Sequence, residues 1–191
     1  MVGNKPNYSK LDILRCFLRL NESTSRQQLA KNLELGEGTI RTILDTLKSR
    51  NLLGSTRKGH FLNEKGKKIL SQLISSVSAP KRLAIRNIYP KFKKIGIRIR
   101  NSRKISKVYN LRDIAVKNGA DGAVILEFKD GLHILESEKN QRFKEIEMMF
   151  DFGNYDILII GFSDNISNAE NGALAIAVEL SRDLQNFINK F

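Results

Sequence analysis

A tight turn followed at once by a helical stripe of apolar residues restricts the fold of the first half of this chain. The turn occupies residues 33–36, and Gly36 can turn the chain or begin the next helix without steric cost. The stripe has the spacing of a helix: Ile40, Ile43, Leu44 and Leu47. The outward face of this third helix then carries short polar side chains and one arginine: Glu37, Thr39, Arg41, Thr42 and Asp45.

Two shorter helices are predicted before the turn. The first covers about residues 9–20, where leucine and phenylalanine recur at helical spacing. Ser25 begins the second helix in a capping box with Gln28, and this helix ends near Glu34. Two short helices, a turn and a third helix with a polar face form the helix-turn-helix pattern, in which the last helix lies in the major groove of DNA.

The residues after the third helix predict a basic β-hairpin and a fourth helix. Extended pieces at 51–56 and 60–62 are joined by a basic turn that contains a glycine. The fourth helix covers about residues 63–77. We therefore interpret residues 1–79 as a winged helix-turn-helix DNA-binding domain, with the hairpin as its wing.

Four stretches of this domain also resemble a known family. They are residues 29–33, 36–44, 47–53 and 62–66. Taken with the order of helices and hairpin, they are similar to prokaryotic, especially archaeal, winged-helix transcriptional regulators. In many such regulators the fourth helix packs on a second copy, so the resemblance implies a homodimer that reads a palindromic operator.

The charge of the chain is divided unevenly along its length. Residues 1–79 have a net charge of +8, residues 80–104 hold ten Lys and Arg and no acid, and residues 105–191 have a net charge of −5. Clustered basic side chains gain affinity by releasing counterions from phosphates. Nucleic acid, and double-stranded DNA in particular, is therefore the expected partner.

Several other classes of protein are excluded. The chain has no apolar run near 18 residues and no signal-like or lipidation segment, so we expect a soluble, cytoplasmic protein without a membrane partner. The single cysteine, Cys16, and two distant histidines exclude a zinc finger, and we expect Cys16 to be a small buried apolar residue. Because no catalytic set or metal-ligand spacing is found, we expect no cofactor, no metal and no enzyme activity.

The interpretation assigns DNA contacts to three elements. Residues at the start of the second helix are expected near phosphates: Ser25 and Arg26. Residues of the third helix are expected near base edges: Glu37, Thr39, Arg41 and Thr42. Residues of the hairpin are expected at the minor groove or the DNA backbone: Arg57, Lys58 and His60.

Residues 80–104, the basic connector, combine their charges with a strand pattern. The alternation predicts a half-buried strand with arginines on its solvent side: Ile95, Ile97 and Ile99 against Gly96, Arg98 and Arg100. The charges belong either to a solvated strand face or to an extended phosphate-binding surface. Pro80 interrupts helix continuity and sets the domain boundary near residues 78–80.

Residues 80–191 predict a small α+β domain with one mixed sheet, for dimerisation, effector sensing or both. The predicted elements follow in order: a strand near 95–99, a helix over about 108–118, a hairpin turning at Asp130 and Gly131, a helix over about 140–149, a central strand over 155–162 and a long helix over about 168–190. Short stretches at 112–115, 118–123, 159–161 and 171–175 are similar to the C-terminal domain of unknown function that archaeal winged-helix proteins carry. This resemblance implies an architecture and no activity.

Two glycine-containing turns are candidates for an effector site. Asp121 and Gly122 precede a strand, while Ser163 and Asp164 follow one and lead toward a helix N-terminus, where backbone amides can receive an anion. Ordinary turn and cap chemistry is the alternative explanation of these residues.

Two other functions stay open from the sequence. The charges of the basic connector, together with Tyr89 and Phe92, favour an RNA-binding protein that holds phosphates and stacks on an unpaired base. A winged helix can also serve as a protein-interaction module in a larger assembly. Such a module would bind DNA weakly and without sequence preference.

Overall fold

The computed structural model describes residues 8–100, 105, 107–137 and 143–191, which form a helical N-terminal region and a C-terminal antiparallel sheet covered by helices. The chain divides into two units. One extends to Leu73 and includes residues 190–191, and the other is Ile74–Asn189. The domain boundary that Pro80 indicates stays a prediction.

From residue 8 onward, where the structure describes it, the first unit contains three helices, a two-stranded hairpin and most of a fourth helix. In order these are α1 (Lys10–Leu18), α2 (Arg26–Leu33), α3 (Glu37–Ser49), β1 (Leu53–Thr56), β2 (Gly59–Leu62) and α4 (Glu64–Ser76). The apolar stripe predicted for the third helix is buried, as are Phe17 of α1 and Leu29 of α2. Burial of these stripes against one another is the main source of stability for short helices of this kind.

Hydrogen bonds at the helix ends explain where α1 and α2 begin and end. Ser9 and Asp12 form a reciprocal capping box at α1. At α2 the Ser25 hydroxyl accepts from the Gln28 amide at 3.2 Å. The second half of the predicted box is not formed, because the Gln28 side chain donates to Asn32 Oδ1 at 2.7 Å instead. Left-handed Glu34, with φ of 55°, ends α2 where the sequence predicts.

In the second unit, the described residues form five strands and four helices beyond the end of α4. In order these are β3 (Lys81–Arg82), β4 (Lys93–Ile99), α5 (Val108–Lys117), β5 (Gly122–Phe128), β6 (Leu132–Ile134), α6 (Lys144–Glu147), β7 (Ile157–Ser163), α7 (Ile166–Leu180) and α8 (Arg182–Ile188). Among the described residues, no helix is long and apolar enough to cross a membrane.

The five strands form one sheet in the order β3-β4-β7-β5-β6, and every neighbouring pair is antiparallel. The prediction of a mixed sheet is therefore wrong. β4 and β5 run in the same direction, as a strand-helix-strand unit requires, but β7 lies between them. Ile159 at its centre is in register with Ile97 on one side and Ile125 on the other. The strands that the structure describes thus form no parallel pair.

Both faces of the central strands are covered. Helices α5 and α7 contact one face, and a cluster of apolar side chains from segments 83–92 and 143–152 covers the other. Strand β7 is buried along its whole length, which confirms the central strand that the sequence predicts.

The predicted orientation of the arginines on β4 is wrong for Arg98. Its side chain belongs to the covered face, the residue is only 6% exposed, and Nη1 lies 3.5 Å from Asp156 Oδ2. Lys94 is buried on the same face, and its ammonium donates to the Phe92 carbonyl at 2.7 Å. The reason is tertiary, because segments far from β4 cover a face that its own sequence marks as polar.

Two predicted helices also differ from the structure. Helix α6 has one turn where the sequence predicts a helix over 140–149, and residues 140–142 of that prediction lie outside the described part of the chain. The long final helix is broken at Ser181, which adopts extended backbone angles and caps α8 by accepting from the Leu184 amide at 3.4 Å. The hairpin turn at Asp130 and Gly131 is confirmed, with φ of 55° and 143° at these residues.

Candidate nucleic-acid interface

The outward face of α3 presents polar side chains to solvent. Arg41 is open to solvent, because its side chain is 74% exposed and its Nε lies 4.0 Å from Asp45 Oδ2 one turn later. Thr42 is exposed too, and its hydroxyl donates to the Gly38 carbonyl at 3.1 Å. Thr39 is half-buried. A screened pair of this length leaves the Arg41 guanidinium available to another partner.

Two residues that are predicted to contact DNA form an ion pair with each other. Arg26, the first residue of α2, places Nη2 at 3.0 Å and Nε at 3.2 Å from Glu37 Oε2 at the start of α3. Both side chains are nearly half exposed, so solvent screens the pair. The pair connects the first turns of the two helices, and it sets the position of Arg26 beside the N-terminus of α3.

The hairpin is attached to the start of α2 by backbone hydrogen bonds. Thr24 and His60 exchange two of them, each at 2.9 Å. Gly59, with φ of +139°, comes so close to Thr24 that a Cβ at this position would lie 2.6 Å from the Thr24 carbonyl oxygen. The hairpin turn, in which Arg57 and Lys58 are exposed, therefore lies next to Ser25 at the N-terminus of α2. The part played by Thr24 was missed from the sequence, since a lone bridge residue has no strand pattern.

His60 does not carry a charge to this edge near neutral pH. Burial lowers its pKa, Lys48 and Arg26 lower it further, and Asp45 opposes the shift. Its Nδ1 is buried and finds no hydrogen-bond partner among the described residues. The neutral ring is attached through its backbone, so the positive charge of this edge comes from Arg26, Arg57 and Lys58.

The basic connector is partly engaged inside the second unit. Besides Lys94 and Arg98, Lys81 donates to the Met149 carbonyl and lies over the Phe150 ring, with its ammonium 4.8 Å from the ring centre. Arg100 reaches Asp151 at 2.6 Å. Six connector cations are exposed in the described region, the paired Lys81 and Arg100 together with Arg82, Arg86, Lys91 and Lys93. Much of the charge therefore supports the sheet and its cover.

The candidate effector residues come together at the end of β7. Ser163 donates to Asp121 Oδ2 at 2.6 Å, and the Asp164 amide donates to the same oxygen at 3.3 Å. Ser163 is almost fully buried. Asp121 and Gly122 also line an open cleft of about 590 Å³, whereas Ser163 and Asp164 do not. No group of His, Cys, Asp and Glu in the described residues is arranged to hold a metal ion.

The chain is similar to a solved archaeal protein. The hypothetical protein PH0730 from Pyrococcus horikoshii OT3 is 30% identical and has a TM-score of 0.79, over 96% of this chain and 99% of that one. The chain belongs to the PH0730-like family. Residues 11–68 match the PH0730-like N-terminal domain, and residues 90–180 match a domain of unknown function, DUF4443. No curated protein matches the sequence.

Proposed function

We propose that this PH0730-like protein binds duplex DNA through its first unit, as a winged-helix transcriptional regulator. The observation that carries the proposal is the backbone pairing of Thr24 with His60. This pairing holds a basic hairpin turn beside the N-terminus of α2, in the order of elements that a helix-turn-helix with a wing requires. The net charge of +8 over residues 1–79 favours a polyanion partner.

Helix α3 is the element proposed to enter the major groove. Its 13 residues bury one apolar stripe and leave the opposite side polar. Arg41 is long, exposed and held only by a distant carboxylate, which suits bidentate binding of a guanine edge. Thr42 and Glu37 add short polar groups on the same helix. The ion pair between Arg26 and Glu37 holds Arg26 beside the N-terminus of α3, where Arg26 is proposed to contact a DNA phosphate.

The hairpin is proposed to contact the backbone or the minor groove. Arg57 and Lys58 are exposed at its turn, and Gly59 lets the turn approach Thr24 closely. Contacts of this kind position the protein without reading sequence. His60 is neutral and half-buried, so it is proposed to contact DNA by van der Waals packing and not by an ionic interaction with a phosphate.

The proposal also contains a homodimer and a cytoplasmic location, which a DNA-binding regulator would need. Selection of bound sequences from a random duplex pool by the full chain tests both recognition and dimerisation. A recovered palindrome is the expected result. A pool without enrichment would overturn specific recognition and would favour a protein-interaction module. Stronger binding to structured RNA than to the duplex at equal salt would favour the RNA alternative.

Substitution of Arg41 tests the role of α3 directly. Arg41→Ala should weaken binding to the selected duplex by about 1–3 kcal/mol and relax the preference at one base pair, because the bidentate contact is lost. Arg182→Ala removes an exposed arginine from the second unit and is the matched control. If the two variants bind the selected duplex equally well, α3 is not the recognition helix.

A further inference from the structure

The second unit contains an open cleft whose lining combines opposite charges with apolar walls. Its volume of about 590 Å³ lies within the range of sites for small organic ligands. Helix α5 contributes Arg112 and Val116, the start of β5 contributes Asp121 and Gly122, and segment 87–89 closes one side. The cleft therefore extends beyond the turn residues that the sequence singled out.

The cation and the carboxylate of the cleft are both available to a ligand. Arg112 is half-buried, and it forms no ion pair with Asp121 or with any other described residue. Asp121 uses Oδ2 to accept from Ser163 and from the Asp164 amide. Its Oδ1 accepts no hydrogen bond in the described part of the chain. Two opposite charges thus line one cleft without neutralising each other.

The remaining walls of the cleft are largely apolar. Ile88, Val124 and Phe162 are buried beneath it. Tyr89 stacks on Phe162 with ring centres 4.0 Å apart, yet it stays 51% exposed. Such an aromatic surface can cover the body of a ligand, and the apolar floor can bury it.

Gly122 keeps this wall open. A Cβ at residue 122 would lie 2.6 Å from the Phe162 ring, so the backbone at this position carries no side chain into the cleft. The close approach fixes the Phe162 ring on which Tyr89 stacks. The start of β5 therefore positions both the aromatic wall, through Gly122, and the carboxylate of the neighbouring Asp121.

We propose that this cleft binds a small zwitterion with an apolar body, of the class of free hydrophobic amino acids. Arg112 receives the carboxylate, Asp121 receives the ammonium group, and the walls around Tyr89 and Phe162 cover the side chain. The Asp121 carboxylate would repel a simple anion, and the Arg112 guanidinium would repel a simple cation. A neutral apolar molecule would desolvate both charges without compensating them. The inference does not rest on the proposed DNA binding.

Calorimetric titration of the full chain with three related probes tests the assignment. The probes are L-phenylalanine, 3-phenylpropanoate, which lacks the ammonium group, and 2-phenylethylamine, which lacks the carboxylate. L-phenylalanine should bind, and each analogue should bind at least about tenfold more weakly. The proposal is overturned if L-phenylalanine does not bind at millimolar concentration, or if either single-charge analogue binds as tightly as L-phenylalanine.

A variant separates the cleft from binding elsewhere on the protein. Arg112→Gln should weaken binding of the amino acid at least about tenfold, because the carboxylate contact is lost. It should not weaken binding of 2-phenylethylamine, because the variant removes a positive charge that repels the ammonium group. Lys117→Gln, on the same helix and exposed outside the cleft lining, is the matched control and should bind like the unmodified protein. Equal binding of amino acid by both variants would place the ligand outside the cleft.

Discussion

At the scale of single residues, two arginines two positions apart lie in opposite environments, Arg98 within β4 and Arg100 just after its end. Arg98 is buried against Asp156, whereas Arg100 pairs at the surface with Asp151. The alternation of the sequence predicts which residues of β4 share a face. It does not predict that a polar face is covered, because the covering segments lie in other parts of the chain. The alternation therefore predicts the strand, but the burial of Arg98 depends on tertiary contacts.

The contrast between these arginines predicts different losses of stability. Arg98→Met should lower the free energy of unfolding by about 3–5 kcal/mol, because the buried Asp156 carboxylate loses its cation. Arg100→Met, the control two residues later and just after the strand, should cost less than about 1 kcal/mol because its pair is exposed. Urea unfolding of both variants measures the difference. Equal losses would contradict the burial of the Arg98 pair.

Cys16 predicts a dependence of stability on alkaline pH. Burial raises the pKa of its thiol to about 12, against a value of 9.0 for an ordinary thiol, and Arg19 opposes the shift. Below about pH 8 the thiol is almost fully protonated in both states, so it has no pH effect there. Between pH 9 and 12 the unfolded chain releases the proton and the folded chain retains it, so the free energy of unfolding falls by up to about 1.4 kcal/mol per pH unit from this group.

Denaturant unfolding of the protein and of Cys16→Ala at pH 8 to about 10.5 isolates this contribution, because the other titrating groups are common to both. The unmodified protein should lose more stability across this range than the variant does. Parallel curves would show that the thiol ionises as easily in the folded state as in the unfolded one.

At the scale of elements, turns and caps were the most predictable features. Ser25 and the Asp130-Gly131 turn mark the boundaries where the sequence places them, because their chemistry is local. The break at Ser181 was not predicted, since a serine between two apolar stripes has no signal that separates a cap from a helix interior. The order of strands in the sheet was also missed, because it depends on pairing across long stretches of chain.

Two glycine substitutions in the first unit should have opposite effects on stability, one in the attached hairpin and one on α3. Gly59→Ala should destabilise the protein by about 1–3 kcal/mol, because φ of +139° is unfavourable for alanine and the new methyl group meets the Thr24 carbonyl. Gly38→Ala on α3, where a Cβ meets no atom within 4 Å, should stabilise by about 0.5–1 kcal/mol. Urea unfolding of the two variants checks both signs. A Gly59→Ala variant as stable as the unmodified protein would contradict the close approach.

At the scale of the whole molecule, charge and site were predictable to different degrees. The excess of Lys and Arg before residue 105 is visible in the sequence, but its division between internal pairs and exposed groups is not. Asp121 and Gly122 were identified as turn residues, and they line the cleft. Arg112 and Tyr89 were missed as cleft residues, because only the folded chain brings α5 and segment 87–89 to the same wall.

The proposed DNA binding predicts a particular response to salt. Lys58→Ala should weaken binding to all duplex sequences by a similar factor and should reduce the slope of log affinity against log salt by about 1, since one phosphate contact is removed. Lys117→Ala, an exposed lysine of the acidic second part, is the control and should keep the slope. Affinity measured over a salt series provides the test. An unchanged slope for Lys58→Ala would remove the hairpin turn from the interface.

The central place of β7 has a consequence for the way the protein is made. Ribosomes deliver β4 and β5 well before residues 157–163, yet both strands pair through β7. Until that late strand leaves the exit tunnel, two apolar strands have unpaired edges toward the middle of the sheet, and such edges promote aggregation. Messages that end before residue 157 should yield fragments that chaperones retain or proteases remove, while the helices of the first unit have already been synthesised.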